Sequence, residues 1–239
     1  MPGLGVVGHL HFLHRAWRYR LRTERAELAY VRSLDLTGKT VVDIGAHRGL
    51  YAYWLSKAVG PAGRVVTFEP QPEMIRQLEQ FRQSFFWIRN VTVVQSGLSS
   101  RPGTAVMRCV GGHTGGASVE HPDRPDADAF EIPLTTLDEY FDANPPPPDA
   151  PVALVKCDVE GHERAVFAGG ARLLATHRPK LLFECHDKDA FDGGLFGDLH
   201  ALGYRGWFLD GRDRHPVERL AELRPTIDRP YLNYVFEPA

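Results

Sequence analysis

Acids and glycines at the ends of apolar runs carry most of the chemistry legible in this chain. The first group is Asp43-Ile44-Gly45-Ala46-His47-Arg48-Gly49, which follows Thr40-Val41-Val42 and precedes the helix-forming Leu50-Tyr51-Ala52-Tyr53-Trp54-Leu55. Strand, tight glycine turn and helix N-terminus in that order make a natural cradle for a nucleotide-like ligand. The spacing D-x-G-x-x-x-G is not the G-x-G-x-x-G of a dinucleotide turn. An acid at the strand end suits a ligand with a cationic amino-acid head and no pyrophosphate, a description that S-adenosylmethionine meets. Such turns also occur for packing alone, because glycine takes a positive φ at little cost.

The same placement recurs along the chain. Glu69-Pro70 closes the apolar run at 64–69, at the distance past the glycine turn where an acid hydrogen-bonds a ribose diol. Ser96-Gly97 follows the run at 91–95. Asp158, with Glu160 and Glu163 close behind, ends the run at 152–158, and Glu184 and His186 end the run at 179–186. Asp158, Glu184 and His186 form an oxygen- and nitrogen-rich set for Mg²⁺ or Mn²⁺ gripping a vicinal diol. Two other accounts fit the same residues: Asp158 caps the next helix, or His186 serves as a base with no metal. Lys156 reads as a structural ion pair, Glu160 and Glu163 as partners of loop backbone, and His113 as a weaker base candidate.

The elements that must position these residues alternate between strands and helices. Amphipathic stretches at 72–83, 163–174 and 195–202 lie between the apolar runs, and the closing runs at 204–209 and 231–236 suit an antiparallel edge. Further short strands are expected at 104–110 and 130–134. The expected fold is α/β and Rossmann-like, with a mostly parallel seven-stranded sheet and ligands at the carboxyl ends of its strands. Residues 1–38 form an N-terminal helical cap and 39–239 the main domain. Within the cap, a basic helix at 9–33 interleaves Arg15, Arg18, Arg20, Arg22 and Arg25 with Leu13, Trp17, Leu21 and Leu28. A cap packed on the sheet with a solvated charged face is the simpler account; a surface gripping an anionic lipid or glycan is the other. The segment 111–128, rich in glycine, proline and aspartate, is a substrate loop or a loose tip.

Bulk properties exclude several classes. A formal charge of -2 argues against a nucleic-acid binder. No apolar run is long enough to span a membrane, and residues 1–13, interrupted by His9 and His11, lack a signal-like cleavage site. Cys109, Cys157 and Cys185 show no C-x-x-C spacing and read as buried free thiols of a cytoplasmic protein. The apolar Val6, Val7, Leu10, Phe12 and Leu13 would suit a homodimer contact.

The glycine turn, with Glu69-Pro70, resembles the cofactor site of class I S-adenosylmethionine-dependent methyltransferases. Leu134-Thr135-Thr136-Leu137-Asp138, then Val155-Lys156-Cys157-Asp158-Val159-Glu160-Gly161-His162-Glu163 and Leu182-Phe183-Glu184, are similar to the signature of the FkbM family. His47 departs from that pattern, which has a small polar residue there. The resemblance implies transfer of a methyl group from S-adenosylmethionine to a hydroxyl of a saccharide or natural-product small molecule. It implies a cofactor site of Asp43, Gly45, Ala46, His47, Gly49, Tyr51, Glu69, Pro70, Ser96 and Gly97. Asp158 and His186 are then the catalytic candidates, with Asp158, Glu184 and His186 as the metal set. Metal-independent transfer to nitrogen or a carboxylate is the nearest alternative, and a non-catalytic cofactor-binding protein a further one. A nicotinamide oxidoreductase is disfavoured by the missing G-x-G-x-x-G and Tyr-x-x-x-Lys.

Overall fold

Strand β1 (Thr40–Ile44) is buried along its whole length, and that burial dictates the architecture. A strand covered on both faces needs helices on both sides and parallel neighbours. In the computed structural model, which describes residues 5–85, 88–110, 117–119, 127–186, 188, 190, 194–211, 213–228 and 231–239, β1 lies between β2 (Arg64–Phe68) and β7 (Val152–Cys157), parallel to both. Strand β3 (Val91–Val94) extends the parallel array beyond β2, and β8 (Lys180–His186) extends it beyond β7. Strand β11 (Tyr231–Pro238) then inserts antiparallel between β8 and β9 (Tyr204–Asp210).

Those seven strands are the expected sheet. An eighth, β10 (Asp213–Pro216), pairs with β9 to give the order β10-β9-β11-β8-β7-β1-β2-β3. Its sequence, Asp-Arg-His-Pro, has no apolar alternation, so nothing marks it as a strand. It is held by the backbone ladder and by Arg214, whose guanidinium stacks 3.9 Å from the Trp207 ring centroid. A separate sheet of order β4-β6-β5 is built from β4 (Gly97–Leu98), β5 (Gly103–Val110) and β6 (Ala127–Thr135), which include the two short strands anticipated. Most of the 111–128 segment, including His113, lies outside the described residues.

The helices α3 (Leu50–Val59), α4 (Pro72–Ser84), α5 (Leu137–Ala143), α6 (Glu163–Ala168), α7 (Ala171–His177), α8 (Leu195–Ala201) and α9 (Leu220–Leu223) lie among these strands. Two apolar clusters form the core, one containing Val42, Phe68, Val155 and Phe183, the other Val41, Leu55, Val65 and Leu154. The expected helix over 163–174 is broken at Gly169-Gly170. A Cβ at Gly169 would lie 2.0 Å from the Ser99 carbonyl oxygen, so the close approach of that backbone sets the break. All three cysteines are buried and free.

The N-terminal helix is also two helices, α1 (Val6–Arg18) and α2 (Arg25–Ser33), joined by a π-turn at Tyr19–Thr23 and an off-helix Glu24. The break lets both packing faces reach α3. Phe12 stacks on Phe81 at 4.7 Å, Ala16 accepts a hydrogen bond from Trp54 Nε1, and Leu28 and Val31 are buried in the same cluster.

Candidate functional site

The turn after β1 departs from ordinary backbone at three of five residues: Gly45 (φ 74°), His47 (φ 47°) and Gly49 (φ 77°) are left-handed. It is tied to the end of β2, because the Gly45 and Ala46 amides both donate to the Phe68 carbonyl. It is equally tied to the end of β7. The Asp158 amide donates to Ile44 O at 3.1 Å, and a Cβ on Gly45 would sit 1.9 Å from Asp158 O. Glycine at 45 is therefore required twice, by conformation and by space.

Glu69 stands at the end of β2, 2% exposed, and accepts hydrogen bonds from His47 N (2.8 Å) and Gln71 N (2.9 Å). Burial outweighs these bonds and pushes its carboxyl up to about 7. Below the turn, Asp43 is fully buried, and burial raises it to about 6 against the pull of Lys156. Lys156 Nζ lies 3.7 Å from Asp43 and 3.3 Å from Asp158, and 4.7 Å from the Tyr51 ring centroid. Burial opposes its charge, but Asp158 and Asp43 outweigh burial and hold the ammonium above its usual range. The structural ion pair read from sequence is present.

At the ends of β7 and β8, single oxygens of Asp158, Glu160 and Glu184 all lie within 4.8 Å of one another. Burial, then the carboxylates of Asp158 and Glu160, keeps the Glu184 carboxyl well above the usual range. The expected set placed His186 here. Instead His186 Nε2 lies 3.8 Å from Glu160 and is half-exposed. Left-handed geometry at Glu160 (φ 56°) and Gly161 (φ 96°) swings the Glu160 carboxylate into the place assigned to the histidine. Glu160 was read as a partner of backbone or neighbouring loops; its carboxylate contacts His186 and faces Asp158 and Glu184. Glu163 does play that part, accepting from the Val159 and Gly161 amides at 3.2 Å.

A cavity of about 290 Å³ joins these groups. Gly45, Ala46, His47, Tyr51, Glu69, Pro70, Ser96, Gly97, Asp158 and Glu184 line it; Asp43, Gly49 and His186 do not. Asp43 lies beneath Lys156, Gly49 packs under Leu78 and Phe81, and His186 sits outside the rim. The Ser96 hydroxyl is committed to the framework, donating to Gly97 O at 2.8 Å.

Several lining residues went unread in the sequence. Met107, Ile132 and Leu134 of the small sheet line the cavity together with Val119, as do Tyr19, Thr23 and Glu24 from the N-terminal segment. Glu24 accepts a 2.9 Å hydrogen bond from the Tyr51 hydroxyl. Arg48 also lines the cavity, with a buried Nε that finds no hydrogen-bond partner among the described residues. A cation beside a helix N-terminus is unfavourable without an anion, and that mismatch was a signal available in the sequence. Burial, then Arg48 and Arg15, lowers His47 to about 4, leaving a neutral imidazole at pH 7.

These shifts predict how stability depends on pH. Asp43 (about 6), Glu69 and Glu163 (both about 7) are raised by folding, so their contribution is full below about pH 4 and is lost as pH rises through 6–7. His47 runs the other way, losing stability as pH falls below about 6.5, but it is one group against three. Calorimetry on the ligand-free protein should give a higher Tm at pH 5 than at pH 8. A flat or rising profile would contradict these environments.

The profile of the methyltransferase FkbM domain matches residues 43–206, from the end of β1 into β9. The chain belongs to the FkbM methyltransferase family. An FkbM methyltransferase from Methylobacillus flagellatus KT superposes with a TM-score of 0.54 at 18% identity, over 84% of this chain and 44% of that one. The chain thus spans under half of that protein's length. A putative rRNA-methylase from Clostridium thermocellum (TM-score 0.53, 14% identity, 88% and 92% coverage) and a putative O-methyltransferase from Klebsiella pneumoniae (0.52, 12%, 100% and 92%) share the fold. No curated protein matches. The FkbM profile takes in the glycine turn, Glu69, the Asp158 block and Glu184, the groups that surround the cavity.

Proposed function

We propose that the cavity binds S-adenosylmethionine and that the protein methylates a hydroxyl of a saccharide or a comparable polyol natural product. The observation that carries this reading is the convergence of the glycine turn, Glu69 and the Asp158-Glu160-Glu184 cluster on one cavity. The cofactor suits the residues present: a turn where a side chain would collide, a buried acid for a ribose diol, apolar side chains for a base, and an arginine whose buried Nε has no hydrogen-bond partner among the described residues. In this assignment Glu69 takes the ribose hydroxyls, Ile132 and Leu134 cover the adenine, and Arg48 meets the amino-acid carboxylate. Asp43 acts through Lys156, fixing the ammonium that orients Asp158.

When bound, the cofactor supplies an electrophilic methyl on sulfur; the chain must orient an acceptor hydroxyl and take its proton. We assign that role to Asp158, which lines the cavity and is held by Lys156 at 3.3 Å. Glu160 and Glu184 complete an oxygen donor set suited to Mg²⁺ or Mn²⁺, which would hold neighbouring hydroxyls and release the proton that Glu184 otherwise keeps. Three carboxylates at the rim favour a neutral polyol over a phosphate-rich acceptor, so no nucleic-acid partner is proposed. Three free buried thiols suit a cytoplasmic location.

The test is release of S-adenosylhomocysteine from S-adenosylmethionine across a panel of sugars and glycosides. Asp158→Asn should lower kcat by about 10²–10⁴-fold, the usual worth of a positioned acid–base group, while cofactor affinity changes little. EDTA should abolish activity and Mg²⁺ or Mn²⁺ should restore it. Activity that survives EDTA removes the metal from the proposal. Activity that survives Asp158→Asn removes the residue.

A further inference from the structure

We propose that α1 and the π-turn after it form a docking face for an anionic lipid bilayer. The inner face of this segment is satisfied. Ala16 is fully buried, Phe12 stacks on Phe81, and His9 Nε2 lies 2.9 Å from Ser84 O. The outer face is not satisfied in the same way. Val7 is 81% exposed, Leu10 64%, Leu21 59% and Trp17 46%, four of the six large apolar side chains exposed among the described residues. Their spacing of three, seven and four places them on one stripe of the helix.

Charge identifies what covers that stripe. No Asp or Glu precedes Glu24, whereas Arg15, Arg18, Arg20 and Arg22 do, in a chain of formal charge -2. Arg18 and Arg22 are exposed beside the apolar stripe. Trp17 is set edge-on against Trp54 at 5.4 Å, and the Arg20 guanidinium packs 4.9 Å from both rings, so the aromatic is presented rigidly. Exposed Leu and Trp flanked by arginines, without acids, match the chemistry of the headgroup–acyl boundary of an anionic membrane. A second copy of the chain would bring the same cationic helix against itself. No described helix is long and apolar enough to cross a membrane, so the contact is peripheral.

The segment also bears on the site. Tyr19, Thr23 and Glu24, which follow directly from α1, line the cavity, and Glu24 binds the Tyr51 hydroxyl. A bilayer under α1 therefore lies beside the cavity wall, which favours acceptors presented at a membrane surface.

Flotation of the full chain with vesicles tests this. One set is phosphatidylcholine alone, the other phosphatidylcholine with phosphatidylglycerol. Binding is expected only to the anionic vesicles and should fall with added salt. Arg22→Gln should lower the partition coefficient about fivefold, the worth of roughly 1 kcal/mol per arginine near an anionic surface. Leu10→Glu should abolish binding, while S-adenosylhomocysteine affinity, measured on the same preparations, stays unchanged and shows that the fold is intact. That control rests on the proposed cofactor; an unchanged melting temperature serves the same purpose without it. Equal binding to both vesicle sets, no binding to either, or a lipid-free dimer that Leu10→Glu dissociates would overturn the proposal.

Discussion

Gly45→Ala is expected to be the most damaging single-methyl change in the protein. An alanine there must hold φ near 74° and place its Cβ 1.9 Å from the Asp158 carbonyl oxygen. That oxygen belongs to backbone, so it cannot swing away as a side-chain tip would. Relief requires the ends of β1 and β7 to separate, which breaks the Asp158 N to Ile44 O hydrogen bond. The expected cost is about 4 kcal/mol, in the range reserved for backbone strain combined with overpacking. For a chain of this size that is a Tm loss of roughly 8–16 °C. Gly38→Ala is the matched control, since Gly38 has φ 72° with nothing within 4 Å of its Cβ position. It should lose only the left-handed penalty of about 1 kcal/mol, or roughly 2–4 °C. Equal losses in the two variants would show that the β1–β7 contact is not tight.

Glu69→Ala is expected to have the largest effect on ligand affinity. The carboxylate is nearly inaccessible, and it accepts from the His47 and Gln71 amides and from the Gln71 side chain. Burial at that level is costly for a carboxylate and outweighs the pull of Lys156, so donors from a ribose diol would be favoured there. Hydrogen bonds to a charged group contribute about 1.5–3 kcal/mol each, so losing them should weaken S-adenosylhomocysteine binding about 100-fold or more. Glu69→Gln keeps one acceptor oxygen and should lose about tenfold. With its carboxyl at about 7, the wild-type protein should also bind more weakly as pH falls below 7, by at most tenfold per unit.

The parallel core of the fold was legible because each inner strand is a bare apolar run ending in an acid, and those ends share one crevice. The glycine turn, Glu69 and the Asp158 block could be read together for that reason. Two features resisted. Strand β10 is polar throughout and held by backbone pairing, so side-chain pattern says nothing of it. The exchange of Glu160 for His186 in the acidic cluster depends on a left-handed residue other than glycine, at Glu160 (φ 56°), which no propensity rule anticipates. The break in the N-terminal helix was equally hidden: periodicity runs through 9–33 without a proline or glycine, and only the packing of both halves on α3 shows why it turns at Glu24. That hidden turn is what brings Tyr19 and Glu24 to the cavity.

Isothermal titration of S-adenosylhomocysteine into the wild-type chain and the Glu69→Ala variant tests the central assignment most directly. The account predicts saturable binding at a single site in the wild type and at least about 100-fold weaker binding in the variant, with the variant still folded. No binding to the wild type, or equal affinity in the two proteins, would contradict a methyl-donor site at this cavity.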